Sequence, residues 1–199
     1  MMVSAAGIPS RVIVSGALLV GGAAMIGVFL WTDRRPGPSV LPPSAFGPGP
    51  LRWVYLTLGM LMAATMADMY VPLFGQRLGH LVPVVAGFVG VALSVGWTAS
   101  EIVSASLNRT RVVTRVVAVA PLVMAVGLAL AAASQIGDAP PVVVAVWVVA
   151  LFITGCGIGM AWPHLSAWAM GDVEDPAEGG TAAAAINTVQ LMCGAFGAG

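Results

Sequence analysis

The chain has 199 residues, of which 59% are hydrophobic and 8% are charged, and its formal net charge is zero. An average soluble protein has about 25% charged residues, so too few charges are present here to cover a water-facing surface. This composition excludes an ordinary soluble domain and predicts an outer surface that faces lipid. All basic residues are arginine, and no basic stripe indicates nucleic-acid binding.

Six apolar stretches approach or exceed the about 20 helical residues that cross a bilayer core of about 30 Å. In chain order they are Val12 to Trp31, Trp53 to Phe74, Leu81 to about Leu107, about Val112 to Ser134, Val142 to Met170, and Thr181 to Gly199. The later connectors are short, which makes sequential helices antiparallel neighbours; they are Gly75 to His80, Asn108 to Arg111, Gln135 to Pro141 and Gly171 to Gly180. The sequence predicts an all-α, polytopic transmembrane bundle of about six spans.

Three parts are expected along the chain. Residues 1–31 hold the first transmembrane helix, and because it ends in Asp33-Arg34-Arg35 instead of a cleavage site, we expect it to be retained. Residues 32–52 form a linker rich in Pro and Gly, which cannot be helical throughout. Residues 53–199 form a bundle of five helices. The ends of the chain predict a piece of a longer transporter, truncated on both sides.

The arginines predict the orientation of the bundle. One side of the predicted membrane is flanked by most of them, namely Arg34, Arg35, Arg52, Arg109, Arg111 and Arg115, while Arg11 and Arg77 flank the other. Excess arginine marks cytoplasmic loops. The 32–52 and 108–115 loops are therefore expected on the cytoplasmic side. We also expect a multi-pass protein of the plasma membrane, specifically a bacterial inner membrane.

Two carboxylates lie inside predicted spans, where a charge costs roughly 2.5–3.5 kcal/mol at the helix centre. Asp68 either carries protons or lies close enough to the outer end to pair with Arg77. Glu101 either acts in a charge relay at the cytoplasmic end or forms a structural ion pair with Arg109 or Arg111. Both alternatives remain open at the level of sequence.

Other polar and aromatic side chains also lie within predicted spans. A lone histidine such as His164 is more often a packing residue than a proton-coupling group. Asn187 and Gln190 share a helix face, where they either bind substrate or bond to a neighbouring helix. Trp97 and Trp162 suit a permissive cavity and suit a packed surface equally well. Because the ionisable groups are scattered, we expect no enzyme active site, metal or cofactor.

Three segments resemble parts of a known transporter family. They are Leu30 to Trp53, with Arg34-Arg35 and Leu41-Pro42-Pro43; Gly96-Trp97 through Arg111; and Gly155 to Gly197, with Trp162-Pro163 and Asn187-Thr188-Val189-Gln190. In this order they resemble the C-terminal half of a major facilitator superfamily transporter, in the fourteen-span drug/proton antiporter branch. The family's loop motif is acidic-basic-Gly-basic, and Asn108-Arg109-Thr110-Arg111 departs from it.

The resemblance implies proton-coupled efflux of small amphipathic compounds. It makes Asp68, Glu101 and His164 candidates for proton coupling. It places Trp97, Trp162, Asn187 and Gln190 at a substrate cavity, and Arg109 and Arg111 in a cytoplasmic gate loop. The expected partners are the lipid bilayer, amphipathic molecules, protons, and either a missing N-terminal half or a second copy. A non-transporting fragment or accessory protein is the alternative, and a membrane enzyme is less favoured.

Overall fold

The computed structural model describes residues 49–171 and 179–198, together with residues 20–22, 24–25, 27–28 and 31–32. The described residues of the predicted first span are helical. The rest of that span, most of the 32–52 linker and the acidic 172–178 loop lie outside the described residues.

From residue 49 onward, the described residues contain six α-helices and no strand. The helices are α1 (Leu51–Thr65), α2 (Val71–Gly79), α3 (Pro83–Ala105), α4 (Thr110–Ala133), α5 (Pro141–Gly171) and α6 (Gly179–Ala198), and a 3₁₀ helix, Met66–Tyr70, joins α1 to α2. This confirms the all-α prediction.

Four helical stretches in the described residues are long and apolar enough to cross a membrane, namely Leu51–Gly79, Pro83–Ala105, Thr110–Ala133 and Pro141–Gly171. Large apolar side chains on their outer faces are exposed, for example Phe88 and Leu122. Helix α6 has 20 residues, which corresponds to a length of about 30 Å. The chain is therefore a multi-pass helical membrane protein.

The predicted connector from Gly75 to His80 is wrong, because α2 continues to Gly79. Gly75 is a packing residue instead of a turn residue: a Cβ atom added there would lie 3.1 Å from Ala86 Cβ on α3. The helix ends at His80, which has the left-handed φ of 50° and donates its N–H to the Gly75 carbonyl.

The second predicted span is not one continuous α-helix. Pro72 has no N–H to donate, and within an α-helix its ring would clash with the carbonyl of the fourth residue before it, Asp68. The chain adopts the tighter 3₁₀ geometry over Met66–Tyr70, and Val71 N–H donates to the Asp68 carbonyl. The span therefore breaks beside its one acidic residue.

Helix α5 is the central element, because it packs against α1, α3, α4 and α6. One buried cluster joins side chains from α1, α4, α5 and α6, among them Leu58, Met124, Ile158, Leu165 and Ile186. A second cluster lies toward the other end and contains Val89, Leu93, Trp147 and Leu151. The helix remains unbroken through Pro163.

Glycines bring α3 and α5 into backbone contact. A Cβ atom at Gly155 would overlap the Leu93 carbonyl oxygen, and one at Gly96 would overlap the Phe152 carbonyl oxygen. Small residues permit this approach in membrane helices, where burial of apolar surface does not by itself hold helices together. Because Gly96 and Gly155 have no side chains, the backbones of α3 and α5 can touch.

Two loops are joined at the end of the bundle that the arginine distribution places outside. Ala139 N–H donates to the Leu78 carbonyl over 2.8 Å. The exposed His80 Nε2 lies 2.7 Å from Asp138 Oδ1, and both residues have left-handed backbone, with φ of 50° and 52°. These contacts link the α2–α3 connection to the α4–α5 connection.

Substitution of Gly155 by alanine is expected to destabilise the bundle by about 2 kcal/mol, because the methyl group would force backbones apart. Gly171→Ala is the matched control on the same helix, since an added Cβ there meets nothing within 4 Å. The measurement is thermal denaturation of detergent-solubilised protein. Equal stability of the two variants would contradict the backbone contact.

The orientation can be checked by cysteine labelling in a variant with Cys156 and Cys193 replaced by alanine. We expect Asn108→Cys to react with an impermeant maleimide only from the cytoplasm, and Asp138→Cys only from outside, because arginines concentrate at the first of these ends. The reverse labelling pattern would overturn the orientation.

Candidate functional site

Asp68 lies near the middle of the broken span, Leu51–Gly79. The midpoint of Leu51–Gly79 is residue 65, since (51 + 79)/2 = 65, and Asp68 follows it by three residues. Its Oδ1 atom is buried and has no hydrogen-bond partner among the described residues. The predicted pairing with Arg77 is wrong: the arginine is exposed on α2, and no ion pair joins the two in the described part of the chain.

Glu101 is half-buried in the second half of α3. The predicted ion pair with Arg109 or Arg111 is wrong for the residues that the structure describes, where the carboxylate has neither an ion pair nor a hydrogen bond. Helix α3 ends at Ala105, and the extended backbone of Arg109 precedes α4, so both arginines begin the next helix. Both arginine side chains are exposed, but the predicted connector from Asn108 to Arg111 is too long, because Arg111 lies in the first turn of α4.

His164 joins α5 to α3. Its Nε2 atom lies 3.0 Å from Ser104 Oγ and 3.1 Å from the Ser104 carbonyl oxygen. The Ser104 hydroxyl donates its hydrogen to the Met160 carbonyl over 2.7 Å. The Ser104 carbonyl oxygen can only accept a hydrogen bond, so His164 Nε2 carries a hydrogen and donates it to Ser104. His164 is therefore bonded in a helix contact, as expected of a packing histidine.

A second serine makes the same kind of contact one turn earlier. Ser100 Oγ lies 3.1 Å from the Cys156 carbonyl oxygen, and this pair and the Ser104–Met160 pair are both separated by 56 residues in the sequence. The constant separation shows that α3 and α5 run parallel in register. Two sequence signals indicate this seam: Ser100 and Ser104, and Gly155 and Gly159, are each four residues apart on one helix face.

Trp97 and Trp162 meet at the same contact between α3 and α5. Their ring centroids are 5.7 Å apart with an interplanar angle of 64°, an edge-to-face arrangement. Both rings are half-buried against the larger hydrophobic cluster. The two predicted cavity tryptophans are thus brought together, and each already has an aromatic partner.

The amides on α6 are separate from this seam. Asn187 is exposed and Gln190 is half-buried. Neither amide forms a hydrogen bond among the described residues, so the predicted bond to a neighbouring helix is wrong there. The structure gives these groups no protein partner on α1 or α5, which are the helices that α6 packs against.

Two clefts lie among the described residues, and neither is lined by any of the predicted site residues. A cleft of about 350 Å³ opens between the start of α1 and the end of α5, lined by Pro50, Val54, Ala167, Trp168 and Gly171. A much smaller cleft, about 40 Å³, lies toward the outer end near Phe74 and Trp147. Asp68, Glu101 and His164 therefore line neither of these clefts.

Loss of the Ser104 hydroxyl is expected to destabilise the seam by about 1 kcal/mol, because His164 and the Met160 carbonyl both lose a partner. Ser106→Ala is the control, since the exposed Ser106 hydroxyl bonds only to Val103 of its own helix. Thermal denaturation in detergent measures the difference. A Ser104→Ala variant as stable as the control would show that these bonds do not hold α3 to α5.

Comparison with known proteins covers the chain as a whole. Residues 1–198 match the Major Facilitator Superfamily. The chain is 57% identical over 199 residues to probable multidrug-efflux transporters from two strains of Mycobacterium tuberculosis, and these alignments cover 100% of the chain and 42% of each relative. The chain thus spans about two fifths of the length of these curated relatives. No solved structure matches it.

Proposed function

Because the chain belongs to the Major Facilitator Superfamily, we propose that it forms part of a transporter that exports small amphipathic compounds. The names of its relatives, probable multidrug-efflux transporters, support this substrate class. The membrane is the plasma membrane of a bacterium. Proton entry drives the export in this proposal, and Asp68 is the group that carries the proton.

The break in the helix at Asp68 is the observation that carries the proposal. A carboxylate buried in a membrane is costly, and its Oδ1 has no compensating bond among the described residues. The surrounding 3₁₀ segment and Pro72 give the helix a point at which its two halves can change angle. A buried carboxylate at a break in a helix supports a coupling role, in which binding of a proton to Asp68 is linked to movement of the helix.

The other predicted residues take different places in this proposal. Asn187 and Gln190 are the favoured substrate contacts, because their amides lack partners in the described part of the chain. Glu101, also without a bond there, is the second candidate for proton coupling. The bond from His164 to Ser104 supports a structural role. Arg109 and Arg111 keep the proposed role in the cytoplasmic gate loop.

An opposing group of helices completes the transporter. Transporters of this kind bind substrate between two repeats and alternate access by rocking one against the other. We infer that a further part of a longer polypeptide, or a second copy of this chain, faces α1 and α6. In this arrangement the amides of α6 would lie at the interface between the two parts.

Dye efflux from cells expressing the protein tests the proposal. Asp68→Asn is expected to abolish the part of the efflux that depends on the proton gradient, a loss of about tenfold or more, because a neutral amide cannot bind and release the proton. Asp138→Asn is the matched control, since this carboxylate is exposed in a loop.

The outcomes separate the roles. Gradient-dependent efflux that survives Asp68→Asn and disappears in Glu101→Gln would transfer the coupling role to Glu101. Efflux that survives both changes would eliminate both residues. If the unaltered chain inserts into the membrane but gives no efflux above an empty-vector control, the alternative of a chain without transport activity of its own is favoured.

A further inference from the structure

The Asp68 carboxyl group lies over a bare position on α3. A Cβ atom added at Gly90 would lie 2.9 Å from Asp68 Oδ1, 3.7 Å from Cγ and 3.9 Å from Oδ2. The whole carboxyl group therefore covers this one residue, and Gly90 itself is buried. In the described structure the Asp68 carboxyl group contacts α3, and its Oδ1 atom receives no hydrogen bond.

Gly90 differs from the glycines that join α3 to α5. At Gly155 an added Cβ would strike the backbone of another helix, which cannot move without separating the helices. At Gly90 the three nearest atoms all belong to the end of one flexible side chain, Asp68. A methyl group at position 90 can therefore be accommodated by rotation of Asp68, while the helices stay in place.

We propose that Gly90 is a positioning residue for Asp68: its missing side chain forms the seat that holds the carboxyl group against α3 at the helix break. The proposal rests on the proposed coupling role of Asp68 and adds the residue that keeps this group in its buried place. The seat requires glycine, because any other residue at position 90 would place a Cβ atom 2.9 Å from Oδ1, which is too close for the carboxyl group to stay where it is.

Few charged groups face this place. Several titratable side chains lie on the elements packed against the 3₁₀ segment: Arg52 and Tyr55 on α1, Arg77 on α2, Glu101 on α3 and Cys193 on α6, with Tyr70 on the segment itself. Neither Arg77 nor Glu101 forms an ion pair with Asp68 in the described part of the chain. A change in Asp68 protonation after substitution at Gly90 would therefore indicate that the carboxyl group had left its position against Gly90.

Labelling with dicyclohexylcarbodiimide tests the seat without a transport assay. The lipid-soluble reagent adds to a carboxyl group in its protonated form, and the product stays attached as an N-acylurea. The intact chain in membranes is labelled over a range of pH values, and the modified peptide is measured by mass spectrometry. Asp68→Asn identifies the signal that belongs to Asp68.

Gly90→Ala is expected to slow Asp68 labelling about fivefold or more at about pH 8 and to leave it near the parent rate at about pH 5. The displaced carboxyl group meets water or polar atoms and is ionised more of the time, until acid protonates it in both proteins. Gly87→Ala is the matched control on α3, because a Cβ atom there meets nothing within 4 Å; it should label like the parent at both pH values.

A second variant keeps the test decisive if Gly90→Ala does not insert. Asp68→Glu leaves α3 unchanged, but its longer side chain cannot occupy the same seat, so the same loss at about pH 8 is expected. Parent-like labelling of Gly90→Ala at both pH values would overturn the proposal. Equal slowing at both values, or a parent chain that never labels, would also overturn it.

This outcome is separable from the transport result. Efflux that survives Asp68→Asn would remove the coupling role of Asp68, yet the comparison between Gly90→Ala and Gly87→Ala would still decide whether Gly90 positions the carboxyl group.

Discussion

The contact of α3 with α5 without intervening side chains is the constraint on which the rest of the bundle depends. Lipid is as apolar as a leucine side chain, so only close packing and hydrogen bonds favour association of these helices. Gly155 and Gly96 allow the backbones to meet, and only at that distance can Ser104 reach a carbonyl oxygen on α5. Gly157 likewise brings α5 close to the backbone of Met124 on α4. Helices α3, α4 and α5 therefore form one packed unit.

Helices α1 and α6 form a second pair, and the broken span connects the two groups. Gly59 lies against Cys193, and Gly197 lies against the Ala63 backbone, so the first half of the broken span packs on α6. Its second half, α2, packs on α3 through Gly75. The 3₁₀ segment with Asp68 lies where the span changes partners. A change of angle at this point would move one group of helices relative to the other and would rearrange the buried cluster that α1 and α6 share with α4 and α5.

Hydropathy was sufficient to predict the all-α membrane architecture, and the ends of α3, α4 and α5 were placed within about two residues, because the bilayer imposes length and apolarity on each span. Local sequence patterns gave wrong predictions where a residue takes part in a contact between helices. Gly75 suggested a turn but serves helix packing, and Pro72 breaks a span that its apolar composition suggested was continuous. The pairing of His164 with Ser104 joins residues 60 positions apart, and no local signal specifies that register. Glu101 was assigned arginine partners by proximity in sequence, although those arginines belong to the start of another helix.

The parallel arrangement of α3 and α5 has a consequence for synthesis of the chain. Two parallel helices cannot meet until the helix between them has returned the chain across the membrane. When α3 enters the bilayer, the α5 carbonyl groups that accept from Ser100 and Ser104 belong to residues 56 positions later in the chain and have not yet entered it. During that interval the face of α3 that later contacts α5 is exposed to lipid or to the insertion machinery. The order of translation therefore makes α5 the helix whose arrival completes the unit.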